Sequence, residues 1–184
     1  MTIETARLEL IAATVEIARA EIHDRARFAA LLGTPVPEAW PPPLNDDASM
    51  QWLLRALECD PDALGWCAWY IVLRGGSHAG RVVIGNGGFT GRPNAGGTVE
   101  IGYSILEAYQ GHGYATEAVQ GLLAWAFGRA EVQRVIAQTF PNLTRSIRVL
   151  EKCGFRATGP GSDEGALGFE LKRDKPVGGA PRLP

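Results

Sequence analysis

The sequence has few cysteines, no long apolar run and no excess of charge of one sign. Its three cysteines, Cys59, Cys67 and Cys153, are widely spaced and form no CxxC pair. This spacing argues against a disulfide framework and against a zinc or other metal site, and it favours a reducing, cytoplasmic location. No segment approaches the roughly 20 apolar residues of a membrane span, so we expect no membrane association. The net charge of −2 argues against nucleic acid as a partner.

The rest of the composition is that of an ordinary globular protein, with 46% hydrophobic and 21% charged residues. The first ten residues, MTIETARLEL, include two acids and lack the basic-then-apolar order of a signal peptide. The length of 184 residues suits one domain with its own core. We predict a single domain over residues 1–173 and a disordered tail over 174–184, where the sequence reads DKPVGGAPRLP.

Apolar periodicity predicts four helices and seven strands in this domain. The helices cover residues 14–32, 48–59, about 115–127 and 142–152. The strands cover residues 6–12, 66–74, 81–89, 98–105, 132–140, 155–159 and 166–173. Thr14, Asp46 or Asp47, and Asn142 are the predicted caps at the start of three helices, and Gly33 is the predicted end of the first.

The order of these elements indicates how the strands pair. Short turns join the strands 66–74, 81–89 and 98–105, as in an antiparallel meander. A helix lies between 98–105 and 132–140, and a strand–helix–strand crossover predicts that these two strands run parallel. The sequence thus predicts an α/β (α+β) fold with a mixed, mostly antiparallel sheet flanked by four helices.

The segment AYQGHGYATEAVQGLL, residues 108–123, places two glycines directly before a helix. Backbone N–H groups at a helix N-terminus lack partners within the helix, and glycine lets a phosphate approach them closely. A Walker A loop would need a lysine after the glycines, and a Rossmann loop would need a small third residue where Thr116 stands. Spacing alone leaves open an anion site or a tight turn without a ligand.

Three motifs in order resemble the GNAT N-acetyltransferase superfamily, in the branch that includes ribosomal-protein N-terminal acetyltransferases. YQGHGYATEAV resembles the family's Q/R-x-x-G-x-G/A loop, and VEIGYSI, directly upstream, is similar to its bulged central strand. NLTRSIRVLEKCGF is similar to the helix N-x-x-x-S-x-x-[VL]-L-E-K-x-G-F of that branch, and TARLEL to its first strand. The resemblance spans roughly residues 5–172.

The resemblance implies acetyl-CoA as donor and direct attack of an amine on the thioester, within a sheet splayed at its middle. Pantetheine would add to the open edge of the strand 98–105, the pyrophosphate would bind the glycine loop, and the Tyr103 N–H would polarise the thioester carbonyl. The implied donor-binding residues are Tyr103, Ser104, Ile105, Gln110, Gly111, His112, Gly113, Tyr114, Ala115, Asn142, Arg145 and Ser146. Gln110 and His112 stand where many relatives carry Arg or Lys, so Arg145, Arg148 or Lys152 would add positive charge, unless they form only a solvated helix face.

Three further residues have both a structural and a functional interpretation. Ser146 lies on the apolar stripe of its helix and either bonds the Asn142 carbonyl or, as the family position implies, protonates the departing thiolate. Glu100 is a surface carboxylate of its strand or, by resemblance, the base that acts on the amine, directly or through water. Trp40, in the proline-rich segment 34–46, packs in the core or covers the acceptor site.

The acceptor is open at this stage. A small-molecule amine and a peptide N-terminus both fit the predicted donor site, and the sequence indicates neither a monomer nor a homodimer in preference to the other. The alternative function is a catalytically weak acyl-CoA-binding sensor or interaction module.

Overall fold

The computed structural model describes residues 1–75 and 80–173. Within these residues the chain forms eight strands and five helices. The strands are β1 (Thr2–Glu4), β2 (Leu8–Ala12), β3 (Ala68–Leu73), β4 (Val82–Phe89), β5 (Thr98–Ile105), β6 (Arg134–Thr139), β7 (Arg156–Pro160) and β8 (Leu167–Lys172). The helices are α1 (Val15–His23), α2 (Arg25–Leu32), α3 (Asp47–Cys59), α4 (Tyr114–Phe127) and α5 (Thr144–Lys152). Two 3-10 turns cover Pro61–Ala63 and Glu107–Tyr109.

The eight strands form one sheet in the order β1-β2-β3-β4-β5-β6-β8-β7. Every neighbouring pair is antiparallel except β5 and β6, which run parallel on either side of the α4 crossover. The predicted mixed, mostly antiparallel sheet and its one parallel pair are confirmed. The pairing of β5 with β6 ends at Glu100 and Ile136, so the sheet splays beyond that point.

The described residues form five flanking helices, where the sequence predicted four. Asp24 interrupts the predicted helix 14–32, since its backbone is not helical (φ −150°, ψ 88°). The Asp24 N–H donates a hydrogen bond to the Ala20 carbonyl at the end of α1. The Asp24 side chain accepts a hydrogen bond from the Arg27 N–H at the start of α2. Aspartate favours such caps because its short carboxylate reaches nearby N–H groups. Periodicity alone does not register this break, because the residues on both sides are good helix formers.

The first strand predicted, over 6–12, corresponds to β2, and an additional short strand, β1, precedes it. The three-residue β1 pairs antiparallel with β2, from Thr2 opposite Ile11 to Glu4 opposite Glu9. A strand this short has too few residues to show an alternating pattern, and the sequence analysis missed it.

Each face of the sheet has its own core because side chains alternate along the strands. Trp69 and Ile101 belong to the cluster under α4 and α5, whereas Tyr70 and Val83 belong to the cluster under α1, α2 and α3. The two faces are called here the α4–α5 face and the α1–α3 face. The site described below opens between them, where the sheet splays.

None of the described helices is long and apolar enough to cross a membrane. The predicted disordered tail, residues 174–184, lies outside the described residues.

Candidate functional site

The open edge of β5 is the first element of the site. Toward β4, the Leu106 N–H donates to the Ile84 carbonyl (2.8 Å) and the Thr90 N–H donates to the Glu100 carbonyl (3.0 Å). Because backbone groups alternate in direction along an antiparallel pair, the N–H and C=O groups of Ile101 and Tyr103 point the other way, toward β6. Since the pairing of β5 with β6 ends at Glu100 and Ile136, the Ile101 carbonyl and the N–H and C=O groups of Tyr103 face the gap between the strands.

The bulge expected in β5 lies in β4 instead. The β3–β4 register pairs Ile71 with Gly85 but Val72 with Val83, so Ile84 is the extra residue on β4. The β4–β5 register runs from Gly85 opposite Ile105 to Phe89 opposite Ile101 without such a shift. β4 contains Gly85, Gly87 and Gly88, and glycines within a strand are typical of a bulge or a close backbone approach.

A cavity of about 900 Å³ occupies the gap and opens to both faces of the sheet. Most of the predicted donor-site residues line it. These are Tyr103, Ser104, Ile105, Gln110, Gly111, Gly113, Tyr114, Ala115, Asn142, Arg145 and Ser146. Three of the predicted site residues, His112, Glu100 and Trp40, are not part of its wall.

The glycine loop presents bare backbone to this cavity. Gly111 (φ +81°) and Gly113 (φ +83°) adopt the left-handed conformation, which disfavours any residue with a Cβ atom. Gly113 precedes α4 without a side-chain cap, and the first helical bond runs from the Glu117 N–H to the Gly113 carbonyl. Among the described residues, nothing accepts a hydrogen bond from the N–H groups of residues 111–116. Such a run of free donors at a helix N-terminus suits an anion.

Basic side chains surround the same loop. Arg145 Nη1 donates to Gln110 Oε1 (2.9 Å), while Gln110 Nε2 donates to the Ile105 carbonyl (2.9 Å), so this glutamine connects α5 to β5. Arg148 and Lys152, which also line the cavity, follow Arg145 along α5. Positive charge near the loop therefore comes from α5, which carries the three basic residues considered from the sequence, although Gln110 itself is neutral.

Arg7 adds a basic group that the sequence analysis missed. Its Nη1 donates to the His112 carbonyl (3.0 Å), and its guanidinium lies 4.6 Å from the centre of the Tyr114 ring. Glu117 accepts hydrogen bonds from Arg7 and from Thr5, which hold the β1–β2 hairpin against the start of α4. Partial burial acts to raise the pKa of Glu117, but these hydrogen bonds outweigh it and lower the pKa. The His112 ring turns back, with its Nδ1 2.8 Å from the Gln110 carbonyl.

The Tyr103 hydroxyl and Ser146 form the polar centre of the cavity. The Tyr103 hydroxyl lies 3.1 Å from Ser146 Oγ and donates to the Ser146 carbonyl at the same distance. The partner of Ser146 is thus a phenol from β5, and not the Asn142 carbonyl considered from the sequence. Burial raises the pKa of Tyr103 to about 12, although the hydrogen bond with Ser146 opposes this shift.

Asn142 is not the helix cap that the sequence predicted. α5 begins one residue later, with Leu143 in the capping position, and the Leu143 carbonyl accepts from the N–H groups of Ser146 (2.9 Å) and Ile147 (3.2 Å). The Leu143 N–H in turn donates to the Phe140 carbonyl, which shapes a turn before the helix. Asparagine is a residue type that often caps helices, which is why the sequence pointed to Asn142. The turn at Phe140 places the capping position of α5 one residue beyond Asn142.

Glu100 lies on the α1–α3 face of the sheet, opposite Val99 and Ile101, as alternation predicted. Its carboxylate Oε1 accepts a hydrogen bond from Gln138 Nε2 (2.9 Å). The other amide atom of Gln138, Oε1, accepts from the Ser162 and Asp163 N–H groups. Gln138 and Asp163 line the cavity, so the Gln138 side chain connects the Glu100 carboxylate to the cavity wall.

Trp40 is buried in the core of the α1–α3 face rather than in the cavity wall. Its indole N–H donates to Glu21 Oε1 (3.0 Å), and it packs 5.7 Å from the Phe28 ring. The proline segment that follows contacts β5, because Ser104 Oγ donates to the Pro43 carbonyl (2.6 Å). Glu21 does line the cavity, and the sequence analysis missed it. No local pattern distinguishes it from an exposed helix carboxylate.

Comparison with known proteins shows which family the chain resembles. The family model described as acetyltransferase (GNAT) domain matches residues 15–156. The Bacillus subtilis (strain 168) protein named uncharacterized N-acetyltransferase YjdG is 29% identical over 157 residues, which cover 83% of this chain and 88% of that protein.

Two solved structures are similar over nearly the whole chain. RimJ of Mycobacterium smegmatis, solved in complex with CoA-disulfide, has a TM-score of 0.63 at 21% identity and covers 94% of this chain and 87% of its own. RimL, described as a ribosomal L7/L12 α-N-protein acetyltransferase, was solved in complex with coenzyme A. It has a TM-score of 0.65 at 17% identity, and the match covers 95% of this chain and 99% of RimL. At these identities the similarity establishes the fold alone.

Proposed function

Because the chain belongs to the GNAT acetyltransferase family and is an acetyl-CoA-dependent N-acetyltransferase, we propose that it acts by direct attack of a primary amine on the thioester. The observation that carries this proposal is the open edge of β5, which faces a cavity leading to the glycine loop. A single cavity of this kind can hold donor and acceptor together, so that no covalent enzyme intermediate is needed.

The donor half of the proposed site is the loop and the strand edge. The free N–H groups of residues 111–116 suit the pyrophosphate of acetyl-CoA, and Arg145, with Arg148 and Lys152 beside it, supplies the balancing charge. The N–H and C=O groups of Tyr103, which face the gap, are then available to the amide groups of pantetheine, which would add there like a further strand, and Ser104 and Ile105 line the same cavity. Asn142 lines the same cavity beside α5 and belongs to the proposed donor site.

Two groups on Tyr103 serve the proposed chemistry. Acetyl-CoA supplies the acetyl group as a thioester, and the Tyr103 N–H, which faces the gap, donates a hydrogen bond to its carbonyl oxygen. One preorganised donor of this kind contributes on the order of 3–4 kcal/mol to the stability of a developing oxyanion. The Tyr103 hydroxyl, held against Ser146 at 3.1 Å, is the proposed proton donor to the departing thiolate, with Ser146 relaying or orienting that proton.

The acceptor half of the proposed site lies on the α1–α3 face, where Glu100 and Gln138 are hydrogen-bonded. Since Glu100 stands behind the wall, we assign it the role of base through a bound water rather than by direct contact. Trp40 supports this half from the core through Glu21, without touching the acceptor.

The acceptor is proposed to be a small-molecule amine or a peptide N-terminus, and a cytoplasmic location is proposed from the three unpaired cysteines. A monomer and a homodimer are both compatible with this site. The alternative function, a catalytically weak acyl-CoA-binding sensor or interaction module, would bind the donor at the same site but show little or no turnover.

The test of the proposed function is acetyl-CoA binding followed by thiol release across a panel of primary amines and short peptides. At 100 times its dissociation constant, acetyl-CoA should stabilise the folded protein by about 2.7 kcal/mol, whereas NAD should have no effect. Turnover with at least one amine supports the enzyme, and binding without turnover for every acceptor supports the sensor. The absence of any thermal shift with acetyl-CoA would contradict both.

Replacing Glu100 by glutamine should lower kcat/KM by about 10- to 100-fold at pH 7, because most of the amine is then protonated and needs a base. The loss should shrink as pH rises toward the pKa of the amine, since the neutral amine attacks without help. Glu170→Gln is the matched control, as Glu170 is a carboxylate on β8 that pairs with Lys172. A pH-independent loss, or none, would remove Glu100 from the base role.

A further inference from the structure

Glu21 is a carboxylate that lines the cavity on the α1–α3 face. Tyr70 donates its hydroxyl to Oε2 (2.6 Å) and Trp40 donates its indole N–H to Oε1 (3.0 Å), so each oxygen has one donor. An ionised carboxylate offers about four acceptor positions, which leaves each oxygen able to accept another bond. Among the described residues, no lysine or arginine pairs with it.

The surroundings of Glu21 make its charge costly without a partner. Phe28, Trp40 and Tyr70 form an aromatic cluster beside it, with ring centres 5.1 to 6.2 Å apart. Burial raises the pKa of Glu21, while the hydrogen bonds from Tyr70 and Trp40 act in the opposite direction. Two neutral donors offset only part of the cost of desolvating an anion, and a cation placed against it would offset more.

Charge is distributed unevenly between the two sides of the cavity. Its basic lining residues, Arg145, Arg148 and Lys152, belong to α5, on the side of the glycine loop. Its acidic lining residues are Glu21, from α1, and Asp163, beside Gln138. An anionic donor at the basic side and a cationic acceptor at the acidic side would match this distribution.

Two exposed apolar side chains lie at the mouth on the α1–α3 face. Leu44 and Trp52 line the cavity there, and their exposed fractions of 85% and 44% are high for large hydrophobic residues. Exposed apolar groups at a cavity mouth suit the methylene stem of a ligand.

We propose that Glu21 is the specificity-determining residue for the acceptor and selects amines that carry a second, cationic group on an apolar stem. This inference rests on the proposed function, because it assigns the acceptor class of the same site. The reacting amine lies toward Tyr103, and the second ammonium or guanidinium group lies against the free positions of the Glu21 carboxylate. Tyr70 and Trp40 hold that carboxylate in place.

The test compares two acceptors of nearly equal shape, argininamide and citrullinamide. Both offer one α-amine for acetylation, but only argininamide carries a charged guanidinium. The wild-type protein should show a kcat/KM about 10- to 100-fold higher for argininamide, the range expected for a hydrogen-bonded charge pair. Glu21→Gln should reduce that ratio to within about threefold, chiefly through the KM for argininamide, and should leave the KM for acetyl-CoA unchanged.

Glu16→Gln is the matched control, since Glu16 is an exposed carboxylate on the same helix that pairs with Arg27 outside the cavity. It should retain the wild-type ratio. The wild-type ratio itself needs no variant, so the inference remains testable if the Glu21 variant does not fold.

Two results would overturn the inference: equal kcat/KM for both acceptors in the wild-type protein, or an unchanged ratio in a folded Glu21→Gln variant. Failure of the proposed function gives a different result, which is no thiol release with either compound. In that case calorimetric titration of each compound into the CoA-bound protein decides the role of Glu21. Preferential binding of argininamide, lost in the variant, supports it, and equal binding contradicts it.

Discussion

Replacing Gly113 by valine should raise the KM for acetyl-CoA by about 100-fold or more, which corresponds to about 2.7 kcal/mol of lost binding. Gly113 adopts a φ of +83°, a conformation in which a β-branched residue is strained. To relieve the strain, the chain must rotate the peptide groups at the start of α4, whose N–H groups are the proposed ligands of the pyrophosphate. The measurement is the KM for acetyl-CoA in a thiol-release assay, with the dissociation constant from calorimetry.

Gly33→Val is the matched control for backbone strain. Gly33 also adopts a left-handed conformation (φ +62°), is exposed and has open space where a Cβ would stand, but it ends α2 outside the cavity. It should lose stability, by roughly 1–3 kcal/mol, without a change in the KM for acetyl-CoA. An unchanged KM in a folded Gly113 variant would contradict the assignment of this loop to the donor.

Replacing Tyr103 by phenylalanine should lower kcat by about 100- to 1000-fold while changing the KM for acetyl-CoA only a few-fold. The substitution removes the proposed proton donor but keeps the backbone N–H and the ring. Ser146→Ala should have a smaller effect, and the double variant should be little worse than Tyr103→Phe, because both residues act on the same proton. Pre-steady-state measurement of acetyl transfer separates this step from product release.

The pH profile gives an independent check on Tyr103. Its pKa is raised to about 12, so the neutral, proton-donating form should persist as pH rises, and this group should cause no loss of rate up to about pH 10. Tyr109→Phe is the matched control, because it removes a phenol hydroxyl from the 3-10 turn beside the same cavity. A kcat within threefold of wild type for Tyr103→Phe would show that the thiolate leaves without this acid.

The order and pairing of the central strands followed from the sequence because they depend on local patterns. β5 was predicted with its observed bounds, Thr98–Ile105, since Gly96 and Gly97 precede its start and the alternation of apolar residues continues to Ile105. The parallel pairing with β6 followed from the length of the crossover between them. By contrast, the break at Asp24 and the three-residue β1 were missed, because a single cap and a very short strand leave almost no periodic signal.

The residues of the site likewise divide into those predicted from local sequence patterns and those that the sequence did not reveal. The glycine loop could be located because its backbone conformation requires glycine at Gly111 and Gly113. The prediction placed the cap of α5 one residue too early, because it did not include the turn at Phe140. Asn142 therefore lines the cavity but does not cap the helix. Arg7 and Glu21 were missed, since each reaches the site from an element far away in sequence.

The sequence by itself determined the meander of β3, β4 and β5, the parallel crossover to β6 and the place where backbone N–H groups are left free, because each depends on residues close together in the chain. Only the tertiary structure decided which side chains meet at the cavity. Tyr103 and Ser146 are 43 positions apart, and Glu21 and Tyr70 are 49 apart, yet each pair is hydrogen-bonded. Such contacts depend on how helices pack on the two faces of the sheet, and periodicity fixes only which face of a helix is buried.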